Sequence, residues 1–179
     1  VNGGPTSLDD EKLEVLVRDT ELVLQLVQAG NLRSSLRVVD AVREIGAEHR
    51  VIIGSDTPTG TGVMPLGVLK TIAELASLGG IDPGLVWAWA SGSIADVYGL
   101  DAGKVQVGRP ADLVISDAPW GSHGQGTRGA LTRGDIPGIS AVLIDGEVRA
   151  LTSRNTPASA TPVVVRPHME DPCGSEHVC

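Results

Sequence analysis

The sequence has little of three things that each point to a class of protein: long apolar runs, positive charge and cysteine. No apolar run approaches the roughly 20 residues of a membrane-spanning helix, so no membrane partner is expected. Its 14 Lys and Arg against 22 Asp and Glu argue against nucleic acid as a partner, because phosphate binding needs clustered basic residues. Cys173 and Cys179 both lie near the C-terminus, where they cannot staple the fold, which favours a reducing, cytoplasmic location.

What the sequence does contain is typical of a soluble globular protein. Hydrophobic residues make up 41% of it and are spread over most of its length, which excludes a disordered chain. Its 179 residues are enough for one ordinary core. The chain opens with Val1 and a loop, Asn2 to Thr6, so we expect it to be a fragment of a longer protein.

The first 55 residues alternate between helix and strand patterns. A helix is predicted over about 8–18, capped by Ser7, and a second over 32–46, where apolar residues form one helical stripe. The apolar run 22–27 suits a strand buried on both faces, with a helix as the alternative, and 51–55 reads as another buried strand. This order predicts parallel strands joined by helical crossovers.

The pattern changes near residue 103. Helices are predicted over about 67–78, 83–91 and 94–98. Beyond them, Val105 and Val107 alternate with polar residues, 113–115 forms a short strand, and Asp145-Gly146 predicts a type I′ hairpin turn. A small antiparallel β part therefore follows the helix-rich part.

Asp56 is the strongest candidate for chemistry. It ends the buried strand 51–55 and opens a loop rich in Thr and Gly. In parallel α/β barrels functional groups lie at the carboxyl ends of the strands, where a carboxylate can bind a metal or accept a proton. Position alone leaves open a second interpretation, in which Asp56 only caps the turn at Thr57-Pro58.

Other polar residues are weaker candidates. Thr57, Thr59 and Thr61 could contact a substrate or only shape the loop after Asp56. His49 precedes the strand and is expected at the surface, and His123 falls in a glycine-rich loop. The tail holds His168 and His177 beside the two cysteines, at a spacing that fits no zinc template.

Two separated motifs resemble the amidohydrolase superfamily of metal-dependent hydrolases. The stretch Gly54 to Pro58, followed by Pro65 to Gly67, is similar to the last barrel strand and its loop, and 103–114 is similar to the segment where these enzymes leave the barrel. Ala90 to Ser93 resembles the helix just upstream. The resemblance covers about residues 1–155 and is specific because both motifs occur at this separation.

The resemblance implies the C-terminal portion of a TIM-like (β/α)8 barrel followed by strands of a small β-sandwich. The last βα units would occupy 1–102, the sandwich part 103–156 and a flexible tail 157–179. Without the rest of the barrel, Val23, Leu24, Ile52 and Ile53 would face solvent and promote association. The implied partners are the missing N-terminal part of the same barrel and further copies of the chain, in a homo-oligomer.

Within the superfamily, the stretches 2–6, 60–62, 134–140 and 153–157 resemble enamidases, which open a cyclic enamide, a tetrahydro-oxonicotinate ring. The function implied is hydrolysis of a C–N bond in a small cyclic amide by metal-activated water, with Asp56 as metal ligand and base. The implied cofactor is a divalent metal, zinc or iron, as one or two ions. The alternative is a non-catalytic relic or interaction domain of the same fold.

The resemblance also indicates what the chain lacks. The family's metal centre uses a His-x-His on the first strand, a carboxylated Lys or an acid near the fourth, and His residues after the fifth and sixth. Only the Asp after the eighth strand has a match here, Asp56, while the Asn2-Gly3-Gly4 opening resembles the loop just beyond the sixth-strand His. Lys70 and Lys104 are expected to be solvated rather than carboxylated. The chain alone is therefore expected to be inactive.

Overall fold

The protein is described here by a computed structural model covering residues 1–3, 8–58, 62–152 and 154–166. Two separate sheets organise it: a parallel pair, β1 and β2, and an antiparallel sheet in the order β3-β4-β5. The elements are α1 (Asp10–Asp19), β1 (Leu24–Val27), α2 (Leu32–Glu44), a 3-10 turn (Glu48–Arg50), β2 (Val51–Gly54), α3 (Gly67–Leu78), α4 (Pro83–Trp89), α5 (Gly92–Tyr98), β3 (Leu113–Asp117), α6 (Gly126–Thr132), β4 (Gly138–Ile144) and β5 (Glu147–Ala150). None of these helices is long and apolar enough to cross a membrane.

The parallel pair confirms the predicted helical crossover. Leu24 pairs with Val51 and Val27 with Gly54, and α2 connects the two strands. The apolar run 22–27 is thus a strand rather than a helix. Its first two residues lie outside β1, since the strand begins at Leu24.

The core lies between this pair and the helices that precede and follow it. Leu24, Leu26, Val51 and Ile53 belong to one buried cluster with residues of α1, α2, α3 and α4. Side chains alternate along a strand, so the opposite face carries Gln25, Val27, Ile52 and Gly54. The helical layer of the β/α units therefore covers one face of each strand.

The prediction that four apolar strand residues would face solvent is wrong for three of them. Leu24, Ile52 and Ile53 are 1%, 3% and 2% exposed, whereas Val23 is 44% exposed. Leu24 and Ile53 are buried in the helix-facing cluster, and α3, α4 and α5 pack against β2. Ile52 lies on the opposite face, outside that cluster, and is buried as well. Val23 remains exposed because it precedes the strand.

The helix positions match the sequence patterns closely, but the cap of α1 differs. Asp9 is the N-cap, and its side chain accepts a hydrogen bond from the Lys12 backbone N–H at 2.8 Å. Ser7, the predicted cap, lies outside the described residues. Asp9 caps well because a carboxylate both accepts the unpaired N–H and interacts favourably with the helix dipole.

The antiparallel sheet confirms the predicted hairpin. Asp145 and Gly146 both have positive φ, 52° and 78°, as a type I′ turn requires. Asp112 braces the turn, since its carboxylate accepts a hydrogen bond from the Asp145 N–H at 2.8 Å. The predicted tail begins at residue 157, and within it Ser159 accepts a 2.7 Å hydrogen bond from Ser140 Oγ of β4. Residues 167–179 of the tail lie outside the described residues.

Two expectations for the second half differ from the structure. Val105 and Val107 form no strand and are 90% and 102% exposed, because the segment runs through turns and none of the described strands pairs with it. The sequence pattern also missed α6. Glycines at 126 and 129 weaken its helix signal, and the helix depends on burial of Ala130 and Leu131 where it packs against α3 and α4.

Candidate active site

The carboxyl ends of β1 and β2 form the edge where the candidate site lies. The ladder continues past both strands, since the Gln28 N–H donates to the Gly54 carbonyl at 3.1 Å and the Ala29 N–H to the Ser55 carbonyl at 3.3 Å. Asp56 follows directly. The structure therefore places Asp56 just beyond the carboxyl end of its strand, as its sequence position predicted.

Asp56 turns the chain away from the sheet. Its φ of 55° lies in the left-handed region, which Asp tolerates better than most residues because its short polar side chain can form local hydrogen bonds. The residue is exposed, and a cis peptide bond joins Thr57 to Pro58 immediately after it. A carboxylate at a solvent-accessible strand end can accept a proton or bind a cation.

The loop after Asp56 is held by Thr57. Its hydroxyl donates to the Gly62 carbonyl at 3.1 Å and accepts from the Met64 N–H at 3.3 Å. These two bonds join the start and the end of the loop, so this hydroxyl shapes the loop in the present structure. Thr59 and Thr61 lie outside the described residues.

Asn2 reaches the same edge of the sheet and was missed by the sequence patterns. It is 1% exposed, and its side-chain amide pairs with both backbone groups of Val27, accepting from the N–H and donating to the carbonyl at 2.8 Å each. The amide also donates to Ser35 Oγ at 2.7 Å. The opening residues are thus anchored at the carboxyl end of β1, beside Asp56's strand.

The remaining candidates lie away from this edge. His49 is exposed in the 3-10 turn before β2, at the amino end of the strand, as predicted, and His123 is exposed in the loop before α6. Lys70 Nζ lies 3.8 Å from Glu74 and Lys104 Nζ lies 2.5 Å from Asp96, so both lysines are in partly solvated ion pairs. His168, His177, Cys173 and Cys179 lie outside the described residues.

A metal centre needs more ligands than this edge supplies. Over residues 1–3, 8–58, 62–152 and 154–166, no three His, Cys, Asp or Glu side chains lie close enough together to hold a metal ion. Asp56 fits one ligand position of the implied centre. The described part of the chain does not fit the whole centre, since one carboxylate cannot fix a tetrahedral or five-coordinate site.

Comparison with known proteins identifies the family. The Amidohydrolase family profile matches residues 7–150. The enamidase of Eubacterium barkeri is 43% identical over 157 residues, covering 88% of this chain and 41% of that protein. A crystal structure of enamidase, described as a new member of the amidohydrolase superfamily, matches 90% of this chain and 42% of that one, with a TM-score of 0.87 and 42% identity.

These matches establish what the two sheets are. The chain spans about two-fifths of the length of the relatives it matches. Its parallel βα units are the C-terminal portion of a TIM-like barrel, and its antiparallel strands follow that barrel, as the motifs around Gly54 and Gly103 indicated. The match spans both motifs in one continuous stretch, and the chain belongs to the amidohydrolase family.

Proposed function

We propose that the full-length protein containing this chain hydrolyses a C–N bond in a small cyclic amide, in the manner of an enamidase. The observation that carries the proposal is Asp56, which follows the carboxyl end of β2 in a chain similar to enamidase over nearly its whole length. A barrel strand end is where catalytic groups of this fold lie.

Asp56 has the chemistry that hydrolysis needs. Its carboxylate accepts the proton of the attacking water and passes that proton to the leaving ring nitrogen, so it acts first as base and then as acid. A divalent metal, held by Asp56 with ligands from outside this chain, would supply Lewis-acid activation of the water. The metal is zinc or iron in this proposal, as one or two ions.

The loop that begins at Thr57 is the proposed wall of the substrate site. Thr57 supports it through the two hydrogen bonds of its hydroxyl, which hold the loop beside Asp56. Thr59 and Thr61, at the tip of the same loop in sequence, are proposed to contact the amide substrate.

The proposal also assigns partners to the chain. The other barrel strands and the missing ligands would come from an N-terminal part of the same protein, with the barrel part extending to residue 102 and the sandwich part from 103 to 156. The position of Asn2 supports this assignment, because it anchors the opening residues at the edge where a ligand preceding Val1 would be needed. Assembly into a cytoplasmic homo-oligomer completes the proposal.

The direct test is to assay the full-length protein with tetrahydro-oxonicotinate, following loss of the ring's ultraviolet absorbance and the product mass. We expect ring opening to add one water and give an enamine, which takes up a second water and releases ammonia to leave an aldehyde. A chelator should abolish turnover until zinc or ferrous iron is restored. Absence of ring opening with each metal would contradict the proposed substrate class.

A second candidate is a non-catalytic relic of the same fold. The observation in its favour is that the described residues contain no group of three or more His, Cys, Asp or Glu side chains that could hold a metal ion. Genomic sequence upstream of Val1 separates the two. A continuing reading frame with a His just before Val1 and a distant His-x-His supports the enzyme, whereas an in-frame start at this point supports the relic.

A further inference from the structure

Gln25 is the one polar residue within the apolar run 22–27. In the structure its neighbours Leu24 and Leu26 are buried in the helix-facing core, and Gln25 lies on the opposite, barrel-facing side of β1, where it is exposed. Its register partner is Ile52. A single amide thus interrupts an otherwise apolar strand on the side that faces the interior of the barrel.

The side chain extends toward the carboxyl end of the sheet. The register pairs Gln25 with Ile52 but places its amide against Gly54, two residues or about 7 Å further along. A Cβ atom at position 54 would overlap Gln25 Nε2. Glycine at position 54 therefore leaves the space that the Gln25 amide occupies.

Asp56 follows the end of β2 at which the Gln25 amide lies. Positions 52 and 54 lie on the barrel-facing side of β2, and Asp56 follows two residues later, just past the strand end. The Gln25 amide lies beside Gly54, two residues before Asp56 in the chain. Among the described residues it has no side-chain hydrogen-bond partner.

Closing the barrel would bury this amide, and the burial would cost free energy unless the amide forms a hydrogen bond. Barrel interiors are filled mainly by branched aliphatic side chains, and a buried amide without a partner carries its full desolvation penalty. A hydrogen bond from an amide N–H to a carboxylate is charge-assisted and therefore among the stronger ones. The group within this chain that suits the amide is the carboxylate that ends the neighbouring strand.

We propose that Gln25 is a positioning residue for Asp56, donating from Nε2 to its carboxylate in the closed barrel, with Gly54 keeping the space for that amide. The inference rests on the proposed function. Orientation of a catalytic carboxylate by such a partner is a recurring arrangement, and its loss typically lowers activity by about 10–100-fold.

The test uses Gln25→Leu, Gly54→Ala and the double variant in the full-length protein, assayed with tetrahydro-oxonicotinate. We expect each single variant to lower kcat by about 10–100-fold, with KM within a factor of two or so. Gly54→Ala should fold normally, because its new methyl group displaces only the flexible end of Gln25. The double variant should be no slower than either single one, since both remove the same interaction.

Matched controls are available on the surface. Gln125→Leu makes the same change at an exposed glutamine, and Gly84→Ala places a methyl group against two side-chain ends, those of Arg128 and Asp82. Both should retain wild-type kcat. Thermal unfolding of every variant separates lost positioning from lost folding.

The outcomes distinguish this inference from the proposed function. Wild-type turnover with unchanged kcat in Gln25→Leu or in Gly54→Ala would overturn the inference alone, as would additive losses in the double variant or losses that follow a lower Tm. A rise in KM at constant kcat would assign Gln25 to substrate binding and also overturn it. No turnover by the wild-type protein would contradict the proposed function and this inference with it.

Discussion

At the scale of single residues, the candidate site depends on side chains that hydrogen-bond backbone groups at the strand ends. Asn2 shows this most directly, since its amide imitates a neighbouring strand by pairing with both the N–H and the carbonyl of Val27. A Cβ on Gly30 would overlap Asn2, so the close approach of these two segments requires glycine there. The carboxyl end of β1 is thereby held in place without a further strand.

We therefore expect Asn2→Ala to destabilise the chain by about 2–3 kcal/mol, because it empties a buried position and leaves two part-buried backbone groups of Val27 unpaired. Urea unfolding measures the change. Asn31→Ala is the matched control; it removes an N-cap bond to the Ser34 N–H and should cost only about 1 kcal/mol. Equal losses in the two variants would contradict the account of Asn2.

The position of Asp56 at a strand end could be predicted from sequence, whereas the contacts of Asn2 and Gln25 could not. Asp56 ends an apolar run, and that position has a meaning in parallel α/β folds. The bonds of Asn2 join residues 25 positions apart, which no local pattern encodes. The signal for Gln25, a lone amide in an apolar run, was present in the sequence, but its face became clear only from the strand register.

At the scale of elements, α1 offers a prediction about pH. The hydrogen bond with the Lys12 side chain, followed by that with the Lys12 backbone N–H, lowers the pKa of Asp9 below its usual value. A carboxyl whose pKa is depressed by folding contributes stability above its unfolded pKa, about 3.9, and loses it as the pH falls through the folded value. Acidification below about pH 4 should therefore weaken this helix end.

The change to test is Asp9→Asn, which keeps a capping oxygen but removes the charge. We expect the fall in unfolding free energy between pH 6 and pH 3 to be smaller in this variant than in the wild type. Lys12→Gln removes the other half of the same pair and should reduce the fall in the same direction. An unchanged acid dependence in both variants would show that the pair makes no contribution.

Helices and strands could be predicted from the sequence where the conformational preferences of the residues and their burial favour the same structure. The β4–β5 hairpin follows from Asp145-Gly146 because both residues accept positive φ, and α2 follows from its apolar stripe. For α6 the two disagree, since its glycines disfavour a helix that packing against α3 and α4 stabilises. At Val105 and Val107 the sequence alternates as a strand does, but none of the described strands pairs with this segment, so no strand forms.

At the scale of the whole molecule, more of the apolar strand residues are buried than we expected for part of a barrel. Leu24 and Ile53 are buried in the cluster that the helices share with the parallel pair, and Ile52, on the opposite face, is buried as well. The antiparallel sheet is less complete, because Val114, Ile144 and Val148 remain 40–51% exposed. Any association of the isolated chain should therefore involve the antiparallel sheet more than the parallel pair.

We expect the purified 179-residue chain to show no hydrolysis of tetrahydro-oxonicotinate at any zinc concentration. The physical reason is that the described residues contain no group of three or more possible ligands, whereas a metal centre of this kind needs at least three. The measurement is a ring-opening assay with and without added metal. Metal-dependent turnover by this chain alone would show that a centre exists elsewhere in it.

We expect Asp56 to be the proton-transferring group of the full-length protein, and kcat for Asp56→Asn tests this most directly. This change keeps the size of the side chain and removes the base, so turnover should fall by at least about 100-fold. Asp112→Asn is the matched control, since that residue accepts a backbone N–H in a turn and should leave kcat near the wild-type value. Near-normal turnover in Asp56→Asn would contradict the claim and leave Asp56 as a turn residue.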